Sequence, residues 1–177
     1  MEVISPILQK AASAIKSGLI LVCPTDTVYG LIADATNKKA VARIYQIKKR
    51  SKHKLLPLFV KDIRMAKKFY RINPAQEEFL KNNWPGPVTV VFKKGKPALR
   101  MPDDKFLLAL MTRVGPLAET SANISGRPAT TKVKEVIEYF KDQKYQPDII
   151  LNGGDLKSTK PSRVIDLTGS KPIILRK

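Results

Sequence analysis

Cysteine and histidine are almost missing from this sequence: among 177 residues there is one of each, Cys23 and His53. A lone cysteine excludes an intramolecular disulfide, and one Cys with one His falls short of the roughly four N/S ligands of a structural zinc site. Cys23 sits in an apolar run and reads as a small core residue. No apolar run approaches membrane-spanning length, and no basic segment leads into an apolar one at the N-terminus. The expectation is a soluble, reducing, cytoplasmic setting without membrane contact. Neither GxxxxGK[ST] nor GxGxxG occurs, which disfavours a Walker-type nucleotidase and a dinucleotide-binding fold. Acidic residues are scarce as well, with 15 Asp and Glu against 33 Lys and Arg, a net charge of +18. Such a surplus attracts polyanions and opposes compaction through self-repulsion. It admits nucleotides, RNA and anionic surfaces as partners, or a lysine-rich surface that serves only solubility or heat resistance.

What is present is a globular pattern. The 43% hydrophobic content is ordinary, and the length suits one domain with a substantial core. Helical spacing alternates with short apolar runs. Ser5-Pro6 and Gly18 bracket a helix that should bury Ile7, Leu8, Ala11, Ala12 and Ile15. Strands are expected at 19–23, 56–60, 88–92, 98–101, 117–120, 149–151, 164–166 and 173–175. Between them, helices are expected from Asn37 to Lys49, near 63–70 and 74–80, over 103–113, and over 132–140 with Val133, Val136, Ile137 and Phe140 inward. The loop 152–163, with its glycines and lysines, carries no element signal. Strands interleaved with helices predict an α/β fold: a twisted mixed sheet with flanking helices, spanning 1–177 as one domain.

Four segments carry more than core and turn require. Pro24-Thr25-Asp26-Thr27-Val28-Tyr29-Gly30-Leu31 follows a strand, where open α/β sheets present ligands. Thr25 and Thr27 offer hydroxyls to a polar molecule, while Asp26 serves either an ammonium group or the turn itself. The run from Lys48 to Lys54 gathers five cations and His53 at a helix end, as a solvated face or as a phosphate clamp in which Arg50 binds bidentately. Thr120-Ser121-Ala122-Asn123-Ile124-Ser125-Gly126 leaves another strand with small polar side chains, suited to close backbone approach to a phosphate or base. Trp84-Pro85-Gly86-Pro87-Val88-Thr89 is a rigid turn entering a strand, its residues restricting the backbone and Trp84 packed beneath the sheet.

In order, these segments resemble the YrdC family of threonylcarbamoyl-AMP synthases. The resemblance runs through PTDTVYGL (24–31), K-x-R (48–50) with Pro57-Leu58, WPGPVTVVF (84–92), LRMP (99–102), TSANISGRP (120–128), NGG (152–154), PSRVIDL (161–167) and Ile174-Leu175-Arg176. It implies a concave basic cavity in the α/β sheet. It also implies formation of threonylcarbamoyl-AMP and pyrophosphate from L-threonine, bicarbonate and ATP, Mg²⁺ accompanying the ATP. Partner proteins then pass the group to a tRNA adenosine. By the same resemblance Thr27, with Thr25 beside it, contacts L-threonine, and Arg100 pairs with its carboxylate. Lys48, Arg50 and Lys54 hold the ATP phosphates, Ser121 and Asn123 contact the nucleotide, and Ser162 and Arg176 close over the adenylate. No residue is expected to act as a nucleophile, and no protein-bound metal is expected.

Three positions depart from the family pattern: Ala129, Arg163 and Lys61. The chain stops one residue past Arg176, so the extra C-terminal domain of longer relatives is not expected. YciO-like proteins depart at the S-x-N element, which Ser121 and Asn123 preserve here. The alternative reading is a non-catalytic module that grips double-stranded RNA or tRNA through the basic surface.

Overall fold

The computed structural model describes residues 5–157 and 160–177. Among the described residues nine strands form one mixed sheet: β1 (Leu21–Cys23), β2 (Gly30–Asp34), β3 (Leu58–Phe59), β4 (Val88–Val91), β5 (Leu99–Arg100), β6 (Leu117–Ser121), β7 (Ile149–Ile150), β8 (Arg163–Asp166) and β9 (Ile173–Arg176). Their spatial order is β7-β1-β2-β6-β3-β5-β4-β8-β9. Three of the pairs are parallel (β1 with β7, β3 with β5, β4 with β8), and the other five are antiparallel.

Side-chain alternation sorts the strands' apolar residues to the two faces. Val22, Leu31 and Ala33 join one core with Ala40, Ile44, Val136 and Phe140, from α2 (Lys38–Lys48) and α6 (Val133–Phe140). Leu21, Cys23 and Ile32 join a second with Leu8, Ile15, Leu107 and Leu110, from α1 (Pro6–Lys16) and α5 (Lys105–Val114). Beyond β5, a third core gathers Val88, Val90, Leu99 and Trp84 with Ala66 and Leu80 of α3 (Ile63–Ala66) and α4 (Pro74–Asn83). Trp84 lies beneath the sheet as expected and donates its indole N–H to the Val88 carbonyl at 2.7 Å. Helices thus cover both faces, and strand backbones buried on both sides explain the continuous apolar runs. Among the described residues no helix is long and apolar enough to cross a membrane.

Side-chain caps start four of the helices. Asn37 accepts from the amides of Lys39 and Ala40, Asp62 from Met65, and Asp104 from Leu107, while Asn73 and Gln76 form a reciprocal capping box.

The structure corrects the sequence reading in three places. Strand β2 was not expected, because its apolar run is three residues long and follows directly on the polar PTDTVYG segment. Ile7 is 59% exposed and Ile137 44%, so both buried stripes are narrower than the spacing suggested. The loop 152–163 runs partly through Ser158 and Thr159, which lie outside the described residues.

Candidate functional site

The segment Pro24–Tyr29 is the connection of a β-hairpin, since β1 and β2 pair antiparallel with Cys23 opposite Gly30. Thr25 closes that connection: its hydroxyl donates to the Val28 carbonyl at 2.7 Å and accepts from the Thr27 amide at 3.0 Å. On its other side β2 pairs with β6, placing Gly30 opposite Ser121 and Leu31 opposite Thr120. Two segments some ninety residues apart in sequence thereby sit side by side. The Ala122 amide donates to the Tyr29 carbonyl at 2.7 Å and the Tyr29 amide to Thr130 at 3.0 Å.

A cleft of about 340 Å³ opens beside these strand ends. Thr27 and Val28 of the hairpin, Arg50, Leu55 and Pro57 line it on one side, with Glu119, Thr120 and Ser121 of β6. Thr89 and Val91 of β4, Lys96, Ala98, Arg100, Pro161, Ser162, Val164 and Arg176 complete the wall. Among the described lining residues four cations thus face one carboxylate, and the cavity is basic as expected.

Arg100 is 3% exposed. Its Nε donates to the Gly86 carbonyl at 3.1 Å, Nη1 to Thr27 Oγ1 at 3.2 Å, and Nη2 to Asp26 Oδ1 at 2.7 Å. Three of its five N–H donors are used this way, and its guanidinium stacks 5.5 Å from the Phe59 ring centroid. Asp26, left open between an ammonium ligand and a turn residue, is committed to Arg100 and to the Asp103 amide at 3.1 Å.

Lys48 and Arg50 part company at Lys49, a left-handed residue (φ 52°) that ends α2. Lys48 turns inward to 2% exposure, where Nζ donates to the carbonyls of Ser121 (2.6 Å) and Asn123 (3.0 Å) and to Asn123 Oδ1 (2.7 Å). Burial, with Arg50 nearby, pulls its ammonium down to about 8, against an upward pull from Glu119. Lys48 was expected on the phosphates; instead all three of its donors hold the β6–α6 loop. Asn123 also accepts from Ser121 Oγ at 2.7 Å and donates to the Arg127 carbonyl, so it too is spent on the loop. Arg50 does reach the cleft, steadied by the carbonyls of Lys54 (2.9 Å) and Leu55 (3.2 Å). Lys54 and His53 are exposed and lie outside the cleft wall.

Ser162 bonds Thr89 Oγ1 at 2.8 Å, and Nη2 of Arg176 donates to its carbonyl at 2.7 Å, so β9 holds the far wall. On the near side, Tyr29 donates its hydroxyl to Gly154 O at 2.6 Å and accepts from the Gly153 amide at 3.1 Å. The NGG segment is thereby docked on the hairpin. Of the predicted residues, Thr27, Arg50, Arg100, Ser121, Ser162 and Arg176 meet at the cleft, with Thr25, Lys48 and Asn123 directly behind it. Ala129, Arg163 and Lys61 lie off the wall.

Sequence reasoning missed Thr89, Lys96 and Glu119. Thr89 had been read as backbone architecture. Glu119 precedes the TSAN run in a strand that reads as apolar, and a carboxylate inside a strand so placed was the available signal. It is 9% exposed, and burial raises its carboxyl to about 7 despite the downward pull of Arg100 and Lys48.

A family model described as telomere recombination, the Sua5–YciO–YrdC model, matches residues 13–177. A threonylcarbamoyl-AMP synthase of Pseudomonas fluorescens is 32% identical over 94% of this chain and 95% of its own. Pyrococcus abyssi Sua5 complexed with L-threonine superposes with a TM-score of 0.85 at 33% identity, over 96% of this chain and 53% of that one. The chain therefore spans about half the length of that relative. E. coli YciO gives a TM-score of 0.85 at 25% identity, over 97% and 88%. The chain belongs to the Sua5–YciO–YrdC family.

Proposed function

We propose that this chain is a threonylcarbamoyl-AMP synthase, making threonylcarbamoyl-AMP and pyrophosphate from L-threonine, bicarbonate and ATP. The product would supply the threonylcarbamoyl modification of a tRNA adenosine, transferred by partner proteins. The observation that carries this reading is the convergence of Thr27 and Arg100 with Ser121, Ser162 and Arg176 on one basic cleft.

The two unspent N–H donors of Arg100 suit a carboxylate, and Thr27 stands beside them. Arg50, Lys96 and Arg176 suit a triphosphate. Lys48 acts one layer back, holding Ser121 and Asn123 so that the loop's small residues meet the nucleotide. Threonine carbamate attacks the α-phosphorus through a carboxylate oxygen, and the bond to the β-phosphate bridging oxygen breaks as pyrophosphate leaves. No protein nucleophile is needed: orientation and neutralisation of developing charge do the catalysis. Mg²⁺ would accompany the ATP, held chiefly by its phosphates and water.

The test is pyrophosphate release with each substrate omitted in turn. Release is expected only with ATP, bicarbonate and L-threonine together. Release that ignores threonine, or none at all, would reject the reading.

A further inference from the structure

Glu119 is the one carboxylate among the described residues lining the cleft; every other charged group there, Arg50, Lys96, Arg100 and Arg176, is a cation. Its backbone is locked between strands: the amide donates to the Pro57 carbonyl at 3.0 Å. Its side chain lies over Gly30, where a Cβ would stand 3.3 Å from Oε1 and 3.2 Å from the Thr25 methyl. The residue is only 9% exposed, yet its carboxylate forms no ion pair and accepts no hydrogen bond among the described residues. A buried carboxylate costs stability unless something partners it. An unpartnered one on a cleft wall points to a partner that arrives with the substrate.

The reaction proposed above brings in a triphosphate, a bicarbonate, a carboxylate and an ammonium. Only the ammonium is cationic, and a carboxylate in the wall repels the other three. Arg100 exerts the largest charge effect on Glu119, and Thr27 adjoins Arg100. An α-amino acid would thus be gripped at both ends, its carboxylate on Arg100 and its ammonium on Glu119.

We propose that Glu119 receives the α-ammonium group of the amino acid substrate and takes its proton before the C–N bond forms, an assignment that rests on the synthase reading. One N–H proton passes to a Glu119 oxygen, leaving the free amine. The amine lone pair then attacks the bicarbonate carbon. The C–N bond forms, the C–OH bond breaks, and the hydroxide departs as water with a second amine proton. Glu119 afterwards returns its proton to solvent. Arg100, Lys48 and Arg176 face the carboxyl and favour its charge; Asp26 opposes it, and the buried Cys23 thiol lies close by. Burial outweighs the cations and leaves a proton acceptor near 7, which suits a general base at neutral pH.

Pyrophosphate release by wild type, Glu119→Gln and Glu119→Asp, with threonine and ATP varied separately across pH, tests this. Glu119→Gln is expected to lower kcat/KM for threonine about 100-fold near neutrality while the KM for ATP stays within about twofold. The deficit should shrink as pH rises toward the amine's own pKa, because free amine then comes from solution. Glu119→Asp should keep the wild-type pH profile at a lower rate. Unchanged threonine kinetics, equal losses on both substrates, or a raised Mg²⁺ requirement would overturn the assignment, the last by giving the carboxylate to the nucleotide's cation. If wild type itself shows no threonine-dependent release, the synthase reading fails, and calorimetry still decides Glu119. Threonine binding to wild type near pH 6 should release a proton that Glu119→Gln does not. Binding without proton release, or no threonine binding at all, overturns the assignment.

Discussion

Lys48 and Arg50 are two positions apart, yet the left-handed residue between them sends one inside and the other to the cleft wall. In sequence they form one basic run, and nothing in their spacing tells a buried ammonium from an exposed one. Glu119 shows the same dependence on surroundings and has a measurable consequence. Its unfolded carboxyl titrates near the ordinary glutamate value of 4.5, the folded one near 7. As pH rises through that window the unfolded state ionises first, so stability is present below it and lost across it. The full loss is about 3 kcal/mol. Glu119→Gln cannot titrate and should escape it. Urea unfolding is expected to show the variant more stable than wild type at pH 8 by an amount largely gone at pH 5. Parallel pH profiles would contradict this. Lys48 acts oppositely: with its ammonium lowered to about 8, its cost fades as pH rises from there toward 10.5.

The hairpin connection, the β6–α6 loop and the NGG segment form one clasp. Gly153 is required by close approach: a Cβ there would lie 2.7 Å from Cγ and 3.2 Å from Cβ of Pro24, a ring whose only give is a change of pucker. Gly153→Val should lift NGG from the Tyr29 hydroxyl and loosen Thr25–Thr27. Threonine binding is expected to weaken about tenfold, or about 1.4 kcal/mol, with a smaller effect on ATP, read by titrating each ligand. Equal weakening would mean that the clasp serves the whole cleft. At this scale most elements were legible, because boundary residues such as Pro6, Gly18 and Asn37 and period-3.6 stripes are local signals. Strand β2 was not, since three apolar residues between Gly30 and Asp34 carry no period; only pairing with β1 and β6 makes them a strand.

Across the whole molecule, +18 is the largest sequence-level signal and the least specific. Four of the cations line the cleft, while most of the lysines lie on open surface where RNA phosphates could reach them. The two roles separate by salt. Binding of a tRNA to the surface should fall about linearly in log affinity with log salt. Threonine-dependent pyrophosphate release, through charges sheltered in the cleft, should fall far less over the same range. Steep and equal decline of both would favour one shared phosphate-gripping surface.

The amino-acid order by itself determined the α/β class, the helix starts and the motif segments from PTDTVYGL to Arg176, because turn residues, caps and apolar periods act through near neighbours. With the family resemblance it also picked out six of the residues that line the cleft: Thr27, Arg50, Arg100, Ser121, Ser162 and Arg176. Which of them face it was decided only by tertiary structure. β2–β6 pairing brings Gly30 to Ser121, the turn at Lys49 buries one cation and presents another, and Glu119 becomes an unpartnered acid inside a basic wall. Burial and charge proximity are properties of neighbours in space, and here neighbours such as Tyr29 and Gly154 lie 125 residues apart along the chain.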